Sequence, residues 1–379
     1  MKKSAIRTSA IVLALTLTLT GLSAEGAGIK AGASCSKAGI TAVVGSKKFT
    51  CVTVSGKRVW NKGVALKTTP RVLPNASPSP SATLAPVTYD NLNPSTTWQI
   101  AHKISYAQAA AAPFAKVNII FSIGPSLNQN VIEPYTNGMQ TVANILAPLW
   151  KPDSYRYLAF LAADTGWLDS AIASNGGDPT ATPMRQLWST YVNASRDCNM
   201  ASASTGRLGP LTIQCFGSLN PRTAQTSAHE FFHTFQQAMG SGNYPVWFSE
   251  GGATYIGVHL GYYPGLMASG RDITSDAYRN KGTQMDEGLR VSIKSGDASA
   301  IINRFKILEA KDASADIRNS SYYLGWMASE ALIAVDGWGK WIKLHTDLKS
   351  KTFAASFKDN YGMTLDDFYP MIAKYIIAQ

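Results

Sequence analysis

Cysteine is sparse in this sequence, 4 residues in 379, and no pair stands in C-x-x-C spacing, which argues against a cysteine-based metal site. Acidic side chains are outnumbered, 24 against 35 basic, leaving a net charge of +11. The uncharged apolar run from Ile11 to Leu22 is too short, and wrongly flanked, for a stable membrane span. Histidine is almost as rare as cysteine, with 5 residues. Yet two of the five, His229 and His233, fall in one H-E-x-x-H stretch. With so few His and 7 Glu, that pattern should arise by chance in roughly one such chain per thousand.

On a helix, His229 and His233 sit at i and i+4 on one face, close enough to share a metal. Glu230 is rotated onto the flank, where a carboxylate reaches a metal-bound water without ligating the ion. Two imidazoles hold zinc poorly, so a third protein ligand is needed, with one position left open for water. Glu250 is the choice for that ligand. The bland alternative is a helix with two ordinary histidines. A metzincin is excluded, because Gln236 and Met239 stand where that subclass needs Gly and His.

The pair H-E-x-x-H (His229 to His233) and W-x-x-E-G-x-A-x-Y (Trp247 to Tyr255) resembles the gluzincin metallopeptidases, which include the zinc aminopeptidases and the bacterial collagenases. The resemblance covers about 27 residues closely and implies His229, His233 and Glu250 as zinc (Zn2+) ligands and Glu230 as general base. It further implies a Tyr from a helical second lobe, here Tyr323 or Tyr322, as hydrogen-bond donor to the developing oxyanion. Sixteen residues separate His233 from Glu250, slightly fewer than in the aminopeptidases, so only the superfamily is assigned. A G-x-M-x-N-like amine-recognition motif is missing, which mildly favours an endopeptidase or a narrow-purpose enzyme.

The chain begins with Lys2, Lys3 and Arg7, then the apolar run, then small residues at Ser23, Ala24 and Gly26. This reads as a signal peptide over 1–24 and an exported protein, secreted or associated with the cell surface. Outside the cell, four cysteines form disulfides in one of three connectivities, and the local pairing, Cys35 with Cys51 and Cys198 with Cys215, is expected. Residues 25–66 form a small basic β module with strands at Thr41 to Val44, Lys48 to Val54 and Arg58 to Trp60, and turns at Gly45-Ser46 and Ser55-Gly56. It resembles short Cys-bridged modules of secreted actinobacterial proteins. Residues 67–90, rich in Pro and Ser, read as a linker. Residues 25–90 hold nine basic and two acidic side chains, whereas 91–379 holds 23 and 22. An anionic cell-surface polymer is therefore a candidate partner of 25–90, with a peptide or protein as substrate of the large domain. Nucleic acid fits poorly, for want of a binding motif.

In 91–379 the expected order is a helix from Trp98, a strand at Val117 to Gly124, a helix from Gly138 to Ala147, and a strand at Tyr155 to Leu161. The gluzincin resemblance implies that Leu211 to Phe216, alternating like a strand, is the sheet edge on which substrate lies, its rim braced by the second disulfide. The metal helix is expected to open at Asn220-Pro221 and close at Gly240, with Gly251-Gly252 letting the next helix approach it. His102 is expected to be surface or partly buried and His259 cleft-side or surface. Helices follow at Ala298 to Leu308, Ser321 to Ala334, Trp338 to Lys349 and Leu365 to Ile377. The fold class is thus α+β, zincin-like: a mixed sheet with helices in the first lobe, a helical second lobe, and the stapled β module in front. The competing function is a zincin-fold binding or adhesion protein without catalysis.

Overall fold

The computed structural model describes residues 30–35, 38–39, 41–44, 47–65, 86–111, 117–161, 164–175, 200–204, 209–216, 224–240, 244–262, 267–279, 285–310 and 313–379. The small sheet has β1 (Thr41–Val44), β2 (Lys47–Val54), β3 (Lys57–Trp60) and β4 (Val64–Ala65), with β1, β3 and β4 all antiparallel to β2. Val54 pairs with Lys57 across a two-residue turn in which Ser55 (φ 50°) and Gly56 (φ 75°) are both left-handed, the geometry that matches strand twist. Phe49, Cys51 and Trp60 are its buried side chains. So small a core needs a staple, and the expected Cys35–Cys51 disulfide supplies one. The Gly45-Ser46 turn, and the linker up to residue 85, lie outside the described residues.

Next come α1 (Thr97–Ala111), β5 (Ile119–Ile123), α2 (Gln129–Leu146), β6 (Tyr155–Leu161), α3 (Thr165–Ser174), β7 (Met200–Ser204) and β8 (Leu211–Phe216). The spatial order is β5-β6-β8-β7, parallel except for β7, which runs antiparallel to β8. This corrects the expectation for Leu211 to Phe216: among the described residues β8 is an interior strand, and β7 is an edge. All six β8 residues are buried. On one face, Thr212 and Gln214 are bonded to the hydroxyls of Tyr155 (2.7 Å) and Tyr157 (2.6 Å). On the opposite face, Leu211, Ile213 and Cys215 pack with Leu158, Phe160 and α3 residues Leu168 and Ile172.

Helix α2 starts nine residues before the expected Gly138, with Pro134 inside it. Its buried side, Tyr135, Met139, Val142 and Leu146, belongs to the main core. There it meets α4 (Gln225–Gly240), which carries the H-E-x-x-H stretch. Asn220-Pro221 lies outside the described residues, and Gly240 ends the helix with positive φ as expected. Phe231 packs on Tyr155 (4.6 Å between ring centroids), and Phe232 stacks on Trp341 (5.5 Å). Helix α4 is therefore gripped from two sides.

Beyond it lie α5 (Val246–Ile256) with a π-helical turn (Gly257–Gly261), α6 (Met267–Arg279), α7 (Glu287–Ser295), α8 (Ala298–Ile307), α9 (Ala315–Asp347), α10 (Phe353–Tyr361) and α11 (Leu365–Ala378). Among the described residues no strand follows β8, as expected of a helical second lobe. Gly337 (φ 86°, ψ 166°) breaks α9 between the two helices anticipated there. The glycine expectation needs correction. A Cβ on Gly251 would collide with the backbone of Gly325 on α9, not with α4, whereas Gly252 does face α4, though its Cβ would be only in ordinary contact with the Gln236 side chain there, at 3.5 Å. Close approach to α4 falls instead to Gly257 and Gly261, next to Gln225 and Ala228. The chain is thus mixed α and β, and no helix among the described residues is long and apolar enough to cross a membrane.

Candidate metal centre

One helical turn brings the His229 and His233 rings edge to face, 4.6 Å between centroids. Their Nε2 atoms stand 3.0 Å apart. Glu250 arrives from the first turns of α5, whose start is fixed by buried Trp247 and Phe248 and by a backbone bond from Val246 to Leu308 (2.8 Å). Its Oε2 lies 3.2 Å from His233 Nε2 and 3.6 Å from His229 Nε2. Tetrahedral bonds of the usual length to zinc would set donor atoms about 3.3 Å apart. The three separations bracket that value, so these side chains could hold a metal ion with little rearrangement.

The electrostatics agree. Burial alone would raise Glu250, but His233 and His229 hold its carboxyl well below the usual carboxylate range. Burial would lower His233, yet Glu250 outweighs it and pushes the imidazole up to about 9. Three donor groups thus stand together where a cation would satisfy all three.

Glu230 lies one residue along α4 from His229, on the flank as expected, and lines the same cavity of about 380 Å3 as His233, Glu250 and Tyr322. Burial holds its carboxyl above the ordinary value, against the opposing pull of His229 and His233. The backbone N–H of Ala203 donates to it, tying the carboxylate to β7. Ala201, Ser202 and Ala203 form the opposite wall.

Of the two tyrosines, the structure brings only Tyr322 to this cavity. Its ring stacks on His229 (5.8 Å, 13° between planes), and its hydroxyl bonds Glu250. Burial, then Glu250 and Glu230, push its phenol far above the ordinary value. Tyr323 points away from the cavity, fully buried against Trp326 and Tyr278. His259 also needs correction: it is 1 % exposed and bonded to Glu330 (2.9 Å), which also takes two bonds from Arg271 and one from Tyr375. That buried acid holds His259 in the interior. His102 is half-buried, as expected, and burial lowers it to about 4. Cys215 is disulfide-bonded, while Cys198 lies outside the described residues.

Two neighbours of the centre escaped the sequence reading. Gln236 lies three residues after His233, and that spacing places it on the same helix face. Ala201 to Ala203 had no signal, because small residues do not mark a strand. Comparison with family models, with curated proteins and with solved structures returned no match.

Proposed function

We propose that this chain is an exported, zinc-dependent peptidase. The observation that carries the reading is the meeting of three donor atoms from two helices with an unligated Glu230 beside them, in a cavity walled by an edge strand. Two imidazoles and one carboxylate are a zinc donor set with an open fourth position. When bound, the ion supplies a Lewis acid that makes water a nucleophile near neutral pH and polarises a carbonyl.

The chain's own residues do the rest. Glu230, whose buried carboxyl has a raised proton affinity, takes the proton of the attacking water and returns it to the leaving amine. The Tyr322 hydroxyl, at the mouth of the triad, donates to the carbonyl oxygen as charge develops there. Among the described residues β7 is an edge strand, and an extended peptide adds to it along Ala201 and Ser202, next to the Ala203 N–H that Glu230 already takes. Export rests on the basic and apolar start of the chain, and the basic stretch 25–90 is assigned to an anionic surface.

The test is the purified full chain and its Glu230→Gln variant, assayed for metal content and for cleavage of a mixed peptide library. The expected result is one zinc per chain in both, with turnover of the variant reduced 10²- to 10⁴-fold. Zinc in both and cleavage in neither would mark a binding protein instead.

A further inference from the structure

Gln236 is 2 % exposed and makes hydrogen bonds in two directions. Its Nε2 donates to the backbone carbonyl of Ser249 (3.0 Å), the residue before Glu250. Its Oε1 faces His233 Nδ1 at 2.8 Å. The first contact decides the orientation of the amide, because a carbonyl only accepts and a flipped side chain would set oxygen against oxygen. The oxygen must then face the imidazole, so Nδ1 carries the proton and donates. In the neutral ring that leaves the lone pair on Nε2, the atom turned towards His229 and Glu250. Ser249 Oγ, 3.5 Å from the same Oε1, stands on the same side.

We propose that Gln236 is the positioning residue of the centre: one buried amide selects the metal-binding tautomer of His233 and fixes the α5 backbone that presents Glu250. It thereby couples the two halves of the donor set, which lie on different helices. The inference rests on the proposed metal centre and adds to it a residue that is not itself a ligand. Outer partners of this kind set ligand orientation, and their loss costs about 10- to 100-fold in metal affinity.

The test measures zinc dissociation constants of the full chain by competition with a chromophoric chelator, together with thermal unfolding of the metal-free protein. Gln236→Met fills the space without hydrogen bonds and should weaken zinc binding about 10- to 100-fold. Gln236→Glu keeps an acceptor for Nδ1 but gives up the bond to the Ser249 carbonyl, so it should lose some affinity and less than Gln236→Met, staying within about tenfold of the wild type. Wild-type affinity in Gln236→Met overturns the proposal, as does equal weakening in both variants. A drop in metal-free stability with zinc affinity unchanged would show a structural role only. Should Gln236→Met not fold, Gln236→Glu decides: affinity within tenfold supports the assignment, and a larger loss rejects it. If the wild type itself takes up no zinc, the metal centre is refuted along with the proposal; if it does, failure in the variants refutes the role of Gln236 alone.

Discussion

Gly325 on α9 lies against Gly251 on α5 with no side chain between them: a Cβ on Gly325 would stand 2.8 Å from the Gly251 Cα and collide with the Trp247 carbonyl. Glu250 directly precedes one of these glycines, and Tyr322 lies one turn before the other. The crossing therefore sets the ligand and the hydroxyl relative to each other.

Gly325→Ala should overpack this crossing, at a cost of about 1–3 kcal/mol or more. Gly339, further along α9, has nothing within 4 Å of a built Cβ, so Gly339→Ala serves as the control and should leave stability nearly unchanged. Denaturant unfolding of the two variants compares them directly. Equal midpoints would mean that the helices do not approach as closely as described.

Removing any one donor should empty the centre. His229→Ala, His233→Ala and Glu250→Ala are each expected to lower zinc content well below one per chain after dialysis, since two ligands hold the ion poorly. Full zinc retention in Glu250→Ala would reassign the third ligand.

The two adjacent tyrosines should separate kinetically. Loss of an oxyanion donor costs about 10²- to 10³-fold in kcat, which is the effect expected of Tyr322→Phe with KM little changed. Tyr323→Phe, inside the packing with Trp326, should leave kcat unchanged. A reversed pattern would move the role to Tyr323.

The buried acid Glu330 gives a pH signature. Burial alone would raise it, but Arg271 and His259 hold it down to about 2 from the ordinary 4.5. A depressed carboxyl stabilises the fold above its unfolded pKa, so this contribution is complete above about pH 4.5 and is lost as pH falls through about 2. Glu330→Gln should destabilise the protein by about 3–5 kcal/mol at neutral pH, because Arg271 is left buried without its counter-charge. It should also flatten the acid limb between pH 4.5 and 2. Thermal melts of both proteins across that range test the assignment, and parallel curves would refute it.

What could be read from the sequence follows the range of the interactions. β6 is found over the same residues, Tyr155–Leu161, that its aromatic and aliphatic run marks, and the hairpin at Ser55-Gly56 follows from local turn chemistry. The break at Gly337 was legible as a gap between two periodic stretches. Misreadings arose where a distant residue decides. Leu211 to Phe216 reads as a sheet edge until Met200 to Ser204 pairs along it. His259 looks like a surface residue until Glu330 meets it from 71 positions away. At the centre, spacing marked His229, Glu230 and His233, but only the folded chain distinguishes Tyr322 from Tyr323.

Among the described residues no strand pairs with the outer side of β7, and such an edge beside a cavity is also an invitation to other copies of the same protein, since unpaired strands template aggregation. The composition of β7, Met200-Ala201-Ser202-Ala203-Ser204, limits that hazard: it has no β-branched or aromatic side chain with which a second copy could interdigitate. A strand arriving there gains backbone hydrogen bonds and little else. Self-association through β7 should therefore be weak, and enriching it in valine or isoleucine would trade solubility for a stickier edge.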